Sequence, residues 1–187
     1  ELKGTRDMAR AFLRQPAWAR LLPDGFVLGL ATLGPVGRIR APGTWGSVAG
    51  LIWFTAVLMP MGPAFAFLLS AGLLYLAVVV CGEAEARLRK VDPQEVVLDE
   101  FACVPLVLMG SWDHLYGRDT WVVFVLAFGL FRLFDIAKPF GIRSLQRFHG
   151  GFGVVVDDFA AALAALVLLQ VITRFTPLLE WVRSWSA

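Results

Sequence analysis

Residues 41–82 read APGTWGSVAGLIWFTAVLMPMGPAFAFLLSAGLLYLAVVVCG, a stretch that contains no charged side chain. A helix that crosses the hydrocarbon core of a bilayer needs about 20 apolar residues, so this stretch can supply two crossings. Two prolines and a glycine interrupt it at 59–63, and such residues end helices and form turns. We therefore predict two membrane helices, at about 46–59 and 64–82, joined by a tight uncharged turn.

The composition of the whole chain is typical of a membrane protein. Its 187 residues are 58% hydrophobic and 17% charged, whereas soluble domains are about 45–50% apolar and about 25% charged. The formal net charge of +2 is too small to indicate a nucleic-acid partner. We expect one domain over residues 1–187, all-α in class and built as a polytopic membrane helical bundle.

Three further apolar stretches follow, at about 96–111, 120–137 and 154–173. With the first two, they predict about five membrane-embedded helices in a helical core at 41–173. The flanking segments mix basic or aromatic residues with apolar ones, which is typical of helices that lie on a membrane surface. We interpret residues 1–25 as an amphipathic surface segment and residues 174–187 as an amphipathic tail.

Basic residues concentrate in the segments at one end of the predicted helices. These segments precede the first helix, follow the second, and connect the fourth to the fifth. Their basic residues are Arg38, Arg40, Arg87, Arg89, Lys90, Lys138, Arg143 and Arg147. If the five helices alternate in direction, all three segments share one side of the membrane. The basic side of a membrane protein usually faces the cytoplasm, so we expect this side to be cytoplasmic.

Five acidic residues lie where the predicted helices meet this basic side. Asp99 and Glu100 begin the third helix, Asp135 lies near the end of the fourth, and Asp157 and Asp158 begin the fifth. The alternating topology therefore places five carboxylates from three helices at one depth. Charged groups inside a bilayer cost at least a few kcal/mol and often mark functional sites.

Neighbouring carboxylates repel one another unless protons or a cation neutralise them. Carboxylate oxygens are typical ligands of hard cations such as Mg²⁺ and Mn²⁺. The chain has only two histidines, which argues against zinc. We predict a site for Mg²⁺, with Mn²⁺ as an alternative ion. Its predicted metal ligands are Asp99, Glu100, Asp135, Asp157 and Asp158.

Two basic residues share a helix face with one of these acids. Arg132, Asp135 and Lys138 follow one another at intervals of three residues, which places them on the same side of a helix. One interpretation is a structural ion pair between Arg132 and Asp135. The other carboxylates favour a second hypothesis, in which Arg132 and Lys138 bind phosphate. The predicted catalytic set is Asp99, Glu100, Arg132, Asp135, Lys138, Asp157 and Asp158.

Two glycine-containing segments open predicted helices at the same depth. Residues 41–47 precede the first helix, and residues 149–153 precede the fifth. Free amides at a helix N-terminus bind anions, and glycine lets the backbone approach a ligand closely. Both segments are also compatible with ordinary turns and helix caps. The predicted substrate-binding residues are Gly43, Thr44, Ser47, Arg132, Lys138, His149, Gly150 and Gly151.

Four blocks contain most of the residues singled out above. They are Ala41–Ser47, Val97–Phe101, Phe131–Pro139 and His149–Asp158. In this order they resemble the motifs of the phosphatidylglycerophosphatase A family, and the resemblance covers about residues 26 to 170. Ala102 and Cys103 stand where the family often has a small residue and glycine, and Gly141 stands where proline is common. None of these three positions is a candidate ligand.

The resemblance implies a Mg²⁺-dependent enzyme of phospholipid biosynthesis in the bacterial inner membrane. Members of this family remove the terminal phosphate from phosphatidylglycerophosphate and release phosphatidylglycerol. The expected partners are this lipid and the surrounding membrane lipids, and the multi-pass protein would present its site to the cytoplasm. The number of metal ions, the acyl-chain preference and the oligomeric state remain open.

Metal-assisted hydrolysis of a phosphate monoester is therefore the leading hypothesis. Water is the favoured nucleophile, and an aspartate that forms a phospho-enzyme is the alternative. A membrane transporter or channel is the other class of function, because acids and an arginine within a membrane also mark ion pathways. Such pathways need polar residues at several depths, whereas these acids lie at one end of the helices.

Overall fold

The computed structural model describes residues 16–90, 92–139, 142 and 151–185. The regular structure of these residues is entirely helical, which confirms the predicted all-α class. Several predicted features lie outside the described residues: residues 1–15 of the surface segment, Arg143, Arg147, His149 and Gly150.

Helices of very different lengths make up the described chain. In order, they are α1 (Asp24–Ala31), α2 (Pro42–Met61), α3 (Pro63–Leu88), α4 (Leu98–Leu108), α5 (Thr120–Ala137), α6 (Gly151–Phe175) and α7 (Leu178–Trp185). Within α2, Phe54–Leu58 form a π-helical turn. Short 3-10 turns occur at Ala17–Leu21, Val36–Arg38 and Trp112–His114.

Four of these helices are long and apolar enough to cross a membrane: α2, α3, α5 and α6. They correspond to the predicted helices at about 46–59, 64–82, 120–137 and 154–173, which supports a membrane helical bundle. Gly62 alone connects α2 to α3, at a φ of 80°. The tight turn predicted from the two prolines is therefore present, and glycine suits its left-handed backbone.

The helix predicted at about 96–111 is shorter than expected. α4 has 11 residues, so it is about 16 Å long, only half of a hydrocarbon core that is about 30 Å thick. The expected count of five membrane-crossing helices is therefore not confirmed. α4 packs against α2, α3, α5 and α6, and nine of its 11 residues are buried. Its apolar composition reflects burial within protein.

Glycines on α2 allow α4 to lie close to it. A Cβ at Gly46 would lie 2.9 Å from the Val97 Cβ, and a Cβ at Gly50 would lie 2.6 Å from the Phe101 carbonyl oxygen. Small residues at helix contacts let the two backbones approach, which improves the packing of membrane helices. This contact fixes the position of the first turn of α4.

The chain before α2 is held against the end of α3 by Arg87. Its guanidinium forms an ion pair with Asp24 at 3.0 Å and donates to the Ala19 carbonyl oxygen at 3.2 Å. Part of the predicted surface segment, at residues 19 to 24, is therefore attached to the helical core.

Gly50→Ala should destabilise the protein, because the added methyl group would meet the Phe101 carbonyl oxygen and push α2 away from α4. We expect a loss of about 1–3 kcal/mol, observed as a lower midpoint of thermal unfolding in detergent. Gly72→Ala is the matched control, since a Cβ there has no neighbour within 4 Å and alanine favours a helix over glycine. Equal midpoints for the two variants would contradict the close contact.

Candidate active site

Most of the predicted site residues meet in a cavity of about 420 Å³ at one end of the helices. Its walls come from the start of α2, the loop before α4, the first turn of α4, the end of α5 and the start of α6. All seven residues of the predicted catalytic set line this cavity. The structure thus brings together acids that lie up to 59 positions apart in the chain.

Asp99, Glu100 and Asp158 form a three-carboxylate group. Each offers an oxygen atom, and these atoms lie within 4.8 Å of one another. Asp99 and Asp158 are only 5% and 4% exposed. Oδ1 of Asp99 and Oε2 of Glu100 are buried without a hydrogen-bond partner. Such oxygens are costly to bury, and this spacing of oxygen ligands suits a hard divalent cation. The residues present therefore fit a Mg²⁺ ion.

Arg132 lies between two carboxylates. Its Nη1 atom is 2.6 Å from Asp135 Oδ2 and 4.0 Å from Glu100 Oε1. The ion pair between Arg132 and Asp135, which the helical spacing suggested, is therefore present. It leaves most of the guanidinium for other partners, because arginine has five N–H donors and its ion pairs within the described residues involve Nη1 alone.

Lys138 is surrounded by three carboxylates. Its ammonium forms an ion pair with Asp157 and lies 3.5 Å from Asp135 Oδ1 and 3.6 Å from Asp158 Oδ1. Burial alone lowers the pKa of Lys138, but the charges of Asp158, Asp157 and Asp135 outweigh it and raise the pKa above its ordinary value. Lys138 therefore stays positively charged at neutral pH.

Negative charge dominates the cavity. Six carboxylates line it, the five predicted metal ligands and Asp92, against two basic side chains, which leaves an excess of four negative charges when all are ionised. Repulsion among these carboxylates is strong, because little water screens charges in a buried site. A divalent cation would offset half of the excess, in agreement with the fit of the three-carboxylate group.

Three residues that line the cavity have a left-handed backbone. The φ angle is 57° at Ala41, 48° at Asp92 and 41° at Lys138. For residues other than glycine this conformation costs roughly 1–2 kcal/mol, and such strain collects at functional sites. At Lys138 it ends α5, so the ammonium-bearing residue lies at the turn that leaves the helix.

Gly43 brings the start of α2 against the charged side chains. A Cβ at this position would collide with Glu100 Oε1 and would lie 3.4 Å from Arg132 Nη1. Thr44 lines the cavity beside it. The absence of a Cβ at Gly43 therefore lets the α2 backbone lie against the Glu100 carboxylate.

Ser47 and Gly151, which the sequence suggested as substrate-binding residues, do not line the cavity. Ser47 is fully buried, and its hydroxyl donates to the Gly43 carbonyl oxygen at 2.9 Å. Gly151 is packed against α3, where a Cβ would collide with the Val78 carbonyl oxygen. In the structure, both residues support the segments that form the cavity walls.

The loop before α4 supplies cavity residues that the sequence did not indicate. Asp92, Pro93 and Gln94 line the cavity, and Asp92 adds a further carboxylate. Only the location of this polar loop, directly before the Asp99-Glu100 pair, could have suggested that its residues line the cavity. Loop residues show no periodicity from which their direction could be predicted.

Comparison with known proteins identifies the group to which this chain belongs. The family model for Phosphatidylglycerophosphatase A matches residues 29–173. The chain belongs to the phosphatidylglycerophosphatase A family. This confirms the predicted family, and it confirms the predicted class of enzyme, a phosphoric monoester hydrolase.

The sequences of three curated relatives align with most of the length of this chain. Phosphatidylglycerophosphatase A of Haemophilus influenzae is 36% identical over 134 residues, which are 69% of this chain and 77% of that protein. The Escherichia coli (strain K12) protein of the same name is 28% identical over 177 residues, 92% and 94% of the two chains. A Bacteroides thetaiotaomicron protein, provisionally named a phosphatidylinositol-3-phosphatase, is 32% identical over 154 residues, 81% and 91%. No solved structure matches this chain.

Gly43→Ala should reduce phosphatase activity by more than about tenfold, because its methyl group would displace the Glu100 carboxylate. The measurement is phosphate release by purified protein in detergent. Gly129→Ala is the matched control, since a Cβ there has no neighbour within 4 Å. If Gly43→Ala kept the activity of the control, the close approach of Gly43 to Glu100 would have no catalytic role.

Proposed function

We propose that this chain hydrolyses the terminal phosphate of phosphatidylglycerophosphate and releases phosphatidylglycerol, with Mg²⁺ as cofactor. The observation that carries the proposal is the cavity in which a three-carboxylate group adjoins Arg132 and Lys138. Oxygen ligands beside fixed cations are what hydrolysis of a phosphate monoester needs. Two relatives that cover most of the chain carry the name of this activity.

Asp99, Glu100 and Asp158 would hold the divalent cation. When bound, such an ion polarises phosphoryl oxygens and favours ionisation of water. Asp135 and Asp157 contact the basic side chains in the structure, so their proposed role is to fix Arg132 and Lys138. Both acids remain predicted metal ligands, since they lie in the same cavity.

The phosphate group would bind between Arg132 and the start of α2. The guanidinium can donate two parallel hydrogen bonds to a phosphate. The Gly43 amide and the Thr44 hydroxyl lie at the N-terminus of α2, where the helix dipole favours an anion. The Lys138 ammonium adds positive charge beside the transferring phosphoryl group without leaving its carboxylate partners.

In the proposed reaction, a water molecule attacks the phosphorus atom and the bond from phosphorus to the glycerol oxygen breaks. The attacking water loses a proton to a cavity carboxylate, and the resulting carboxyl group passes this proton to the glycerol oxygen as it leaves. Arg132 stabilises the negative charge that builds up on the phosphoryl oxygens. The products are phosphatidylglycerol and inorganic phosphate, and no phospho-aspartate forms.

The site would face the cytoplasm from the bacterial inner membrane. Arg38 and Arg40 precede α2, while Arg89 and Lys90 follow α3. These segments adjoin the Ala41 and Asp92 walls of the cavity. The cavity is therefore on the basic side of the bundle, and this side is cytoplasmic in most membrane proteins.

The transporter or channel alternative is not favoured. The chain belongs to a family of phosphatases, and its carboxylates lie together at one end of the long helices. An ion pathway needs polar groups at successive depths. The Bacteroides relative raises a different alternative, a phosphorylated inositol headgroup, and phosphatidylinositol-3-phosphate therefore belongs in the same assay.

Removal of divalent cations with EDTA should abolish phosphate release from phosphatidylglycerophosphate, and added Mg²⁺ should restore it. Asp158→Asn and Asp135→Asn should each lower the rate by more than about 100-fold, because one loses a proposed cation ligand and the other loosens Arg132. Asp113→Asn is the matched control, since this exposed carboxylate lies outside the cavity.

Full activity in EDTA would overturn the metal requirement, and near-wild-type rates in both site variants would overturn the carboxylate site. Faster phosphate release from phosphatidylinositol-3-phosphate would overturn the proposed substrate but leave the class of enzyme unchanged. A phospho-aspartate trapped during turnover would exclude direct attack by water.

The proposed orientation predicts opposite labelling of two introduced thiols. Gln94→Cys, at the cavity, should react with a membrane-impermeant maleimide in inside-out vesicles only. Asp113→Cys, in the loop before α5, should react in right-side-out vesicles only. The native Cys81 and Cys103 are buried, so the background is low. The reverse pattern would place the cavity on the periplasmic side.

A further inference from the structure

Charged side chains form a closed ring around the cavity, in which positive and negative groups alternate except where Glu100 and Asp158 meet. Arg132 contacts Asp135 at 2.6 Å and Glu100 at 4.0 Å, while Lys138 lies 3.5 Å from Asp135 and 3.6 Å from Asp158. Glu100 and Asp158 then meet each other within the three-carboxylate group. In this charge ring, three sites for a cation lie between carboxylates. Arg132 and Lys138 occupy two of these sites.

The third position, inside the three-carboxylate group, differs from the other two. No described basic side chain forms an ion pair with Asp99, whose Oδ1 atom is buried without a hydrogen-bond partner. Glu100 contributes a second such oxygen, Oε2. Two buried oxygens without a hydrogen-bond partner, held at the spacing of metal ligands, are positioned to bind a divalent cation.

The Lys138 ammonium shares a carboxylate with the three-carboxylate group, as a second metal ion would. Phosphatases with two metals hold them about 3.5–4 Å apart, and a carboxylate that is shared by both positions can bridge such a pair. Here Asp158 belongs to the three-carboxylate group and also faces the Lys138 ammonium. An ammonium has three N–H donors, and three carboxylates surround this one.

Lys138 is also held in place by its backbone. It ends α5 in the left-handed conformation, with a φ of 41°, and its side chain is only 16% exposed. To make room for a second metal ion, this side chain would have to leave Asp135, Asp157 and Asp158 together. The charge ring therefore opposes a second ion.

We infer that the cavity binds one divalent cation per chain, in the three-carboxylate group, and that Lys138 permanently occupies the place of a second. The inference rests on the proposed Mg²⁺ dependence and proposes a number of ions, which the sequence left open. Removal of the ammonium should convert the site from one ion to two, because Asp157 and Asp158 would lose their basic partner and Asp135 would keep only Arg132.

Titration of Mn²⁺ against purified protein in detergent tests this inference, with bound ions counted from the loss of the electron paramagnetic resonance signal of free Mn²⁺. We expect one ion per wild-type chain and two per Lys138→Met chain. Lys90→Met is the matched control and should bind one, because Lys90 pairs with Glu95 outside the cavity. Asp99→Asn should weaken Mn²⁺ binding by at least about tenfold.

Two ions in the wild type would overturn the inference and leave the metal-dependent phosphatase intact. No bound ion in an active wild type would overturn the metal requirement as well. One ion in a folded Lys138→Met variant would show that the ammonium does not stand in for a metal. A thermal unfolding transition establishes whether the Lys138→Met variant is folded. If this variant does not fold, the ion count of the wild-type chain alone tests the inference.

Discussion

Five predicted metal-ligand carboxylates share one cavity with Arg132 and Lys138, and carboxylates held this close repel one another. The structure divides these acids between two tasks. Asp135 and Asp157 hold the two basic side chains, and the remaining three come together around buried oxygens without donors. In the proposed enzyme, the repulsion among the carboxylates favours a divalent cation, because a bound cation neutralises it.

The packing of the helices determines the positions of these acids. α4 is too short to cross a bilayer, yet it contacts all four long helices and carries two acids of the three-carboxylate group in its first turn. Gly46 and Gly50 let α2 pack against that turn, and Gly43 lets the α2 backbone reach Glu100. A small displacement of α4 would separate the acids, because they come from different helices.

The sequence predicted the long helices and the meeting of the acids, since a charge-free stretch and alternating helices determine both. Predictions from the sequence were wrong or missing where the surroundings of a segment determine its role. Hydropathy cannot distinguish lipid from a protein interior, so α4 was expected to cross the membrane. Asp92 carries no periodic signal, and the inward burial of Ser47 depends on helix packing. The sequence could not show which acids contact the basic side chains and which form the three-carboxylate group, because that depends on distances between side chains.

The central claim is that Asp99, Glu100 and Asp158 together bind a divalent cation. Anomalous diffraction from crystals grown with Mn²⁺ tests it most directly, because manganese scatters anomalously and magnesium does not. The account predicts a single anomalous peak in contact with oxygen atoms of all three side chains. A map with no peak among them, or with these carboxylates turned away from one another, would contradict it.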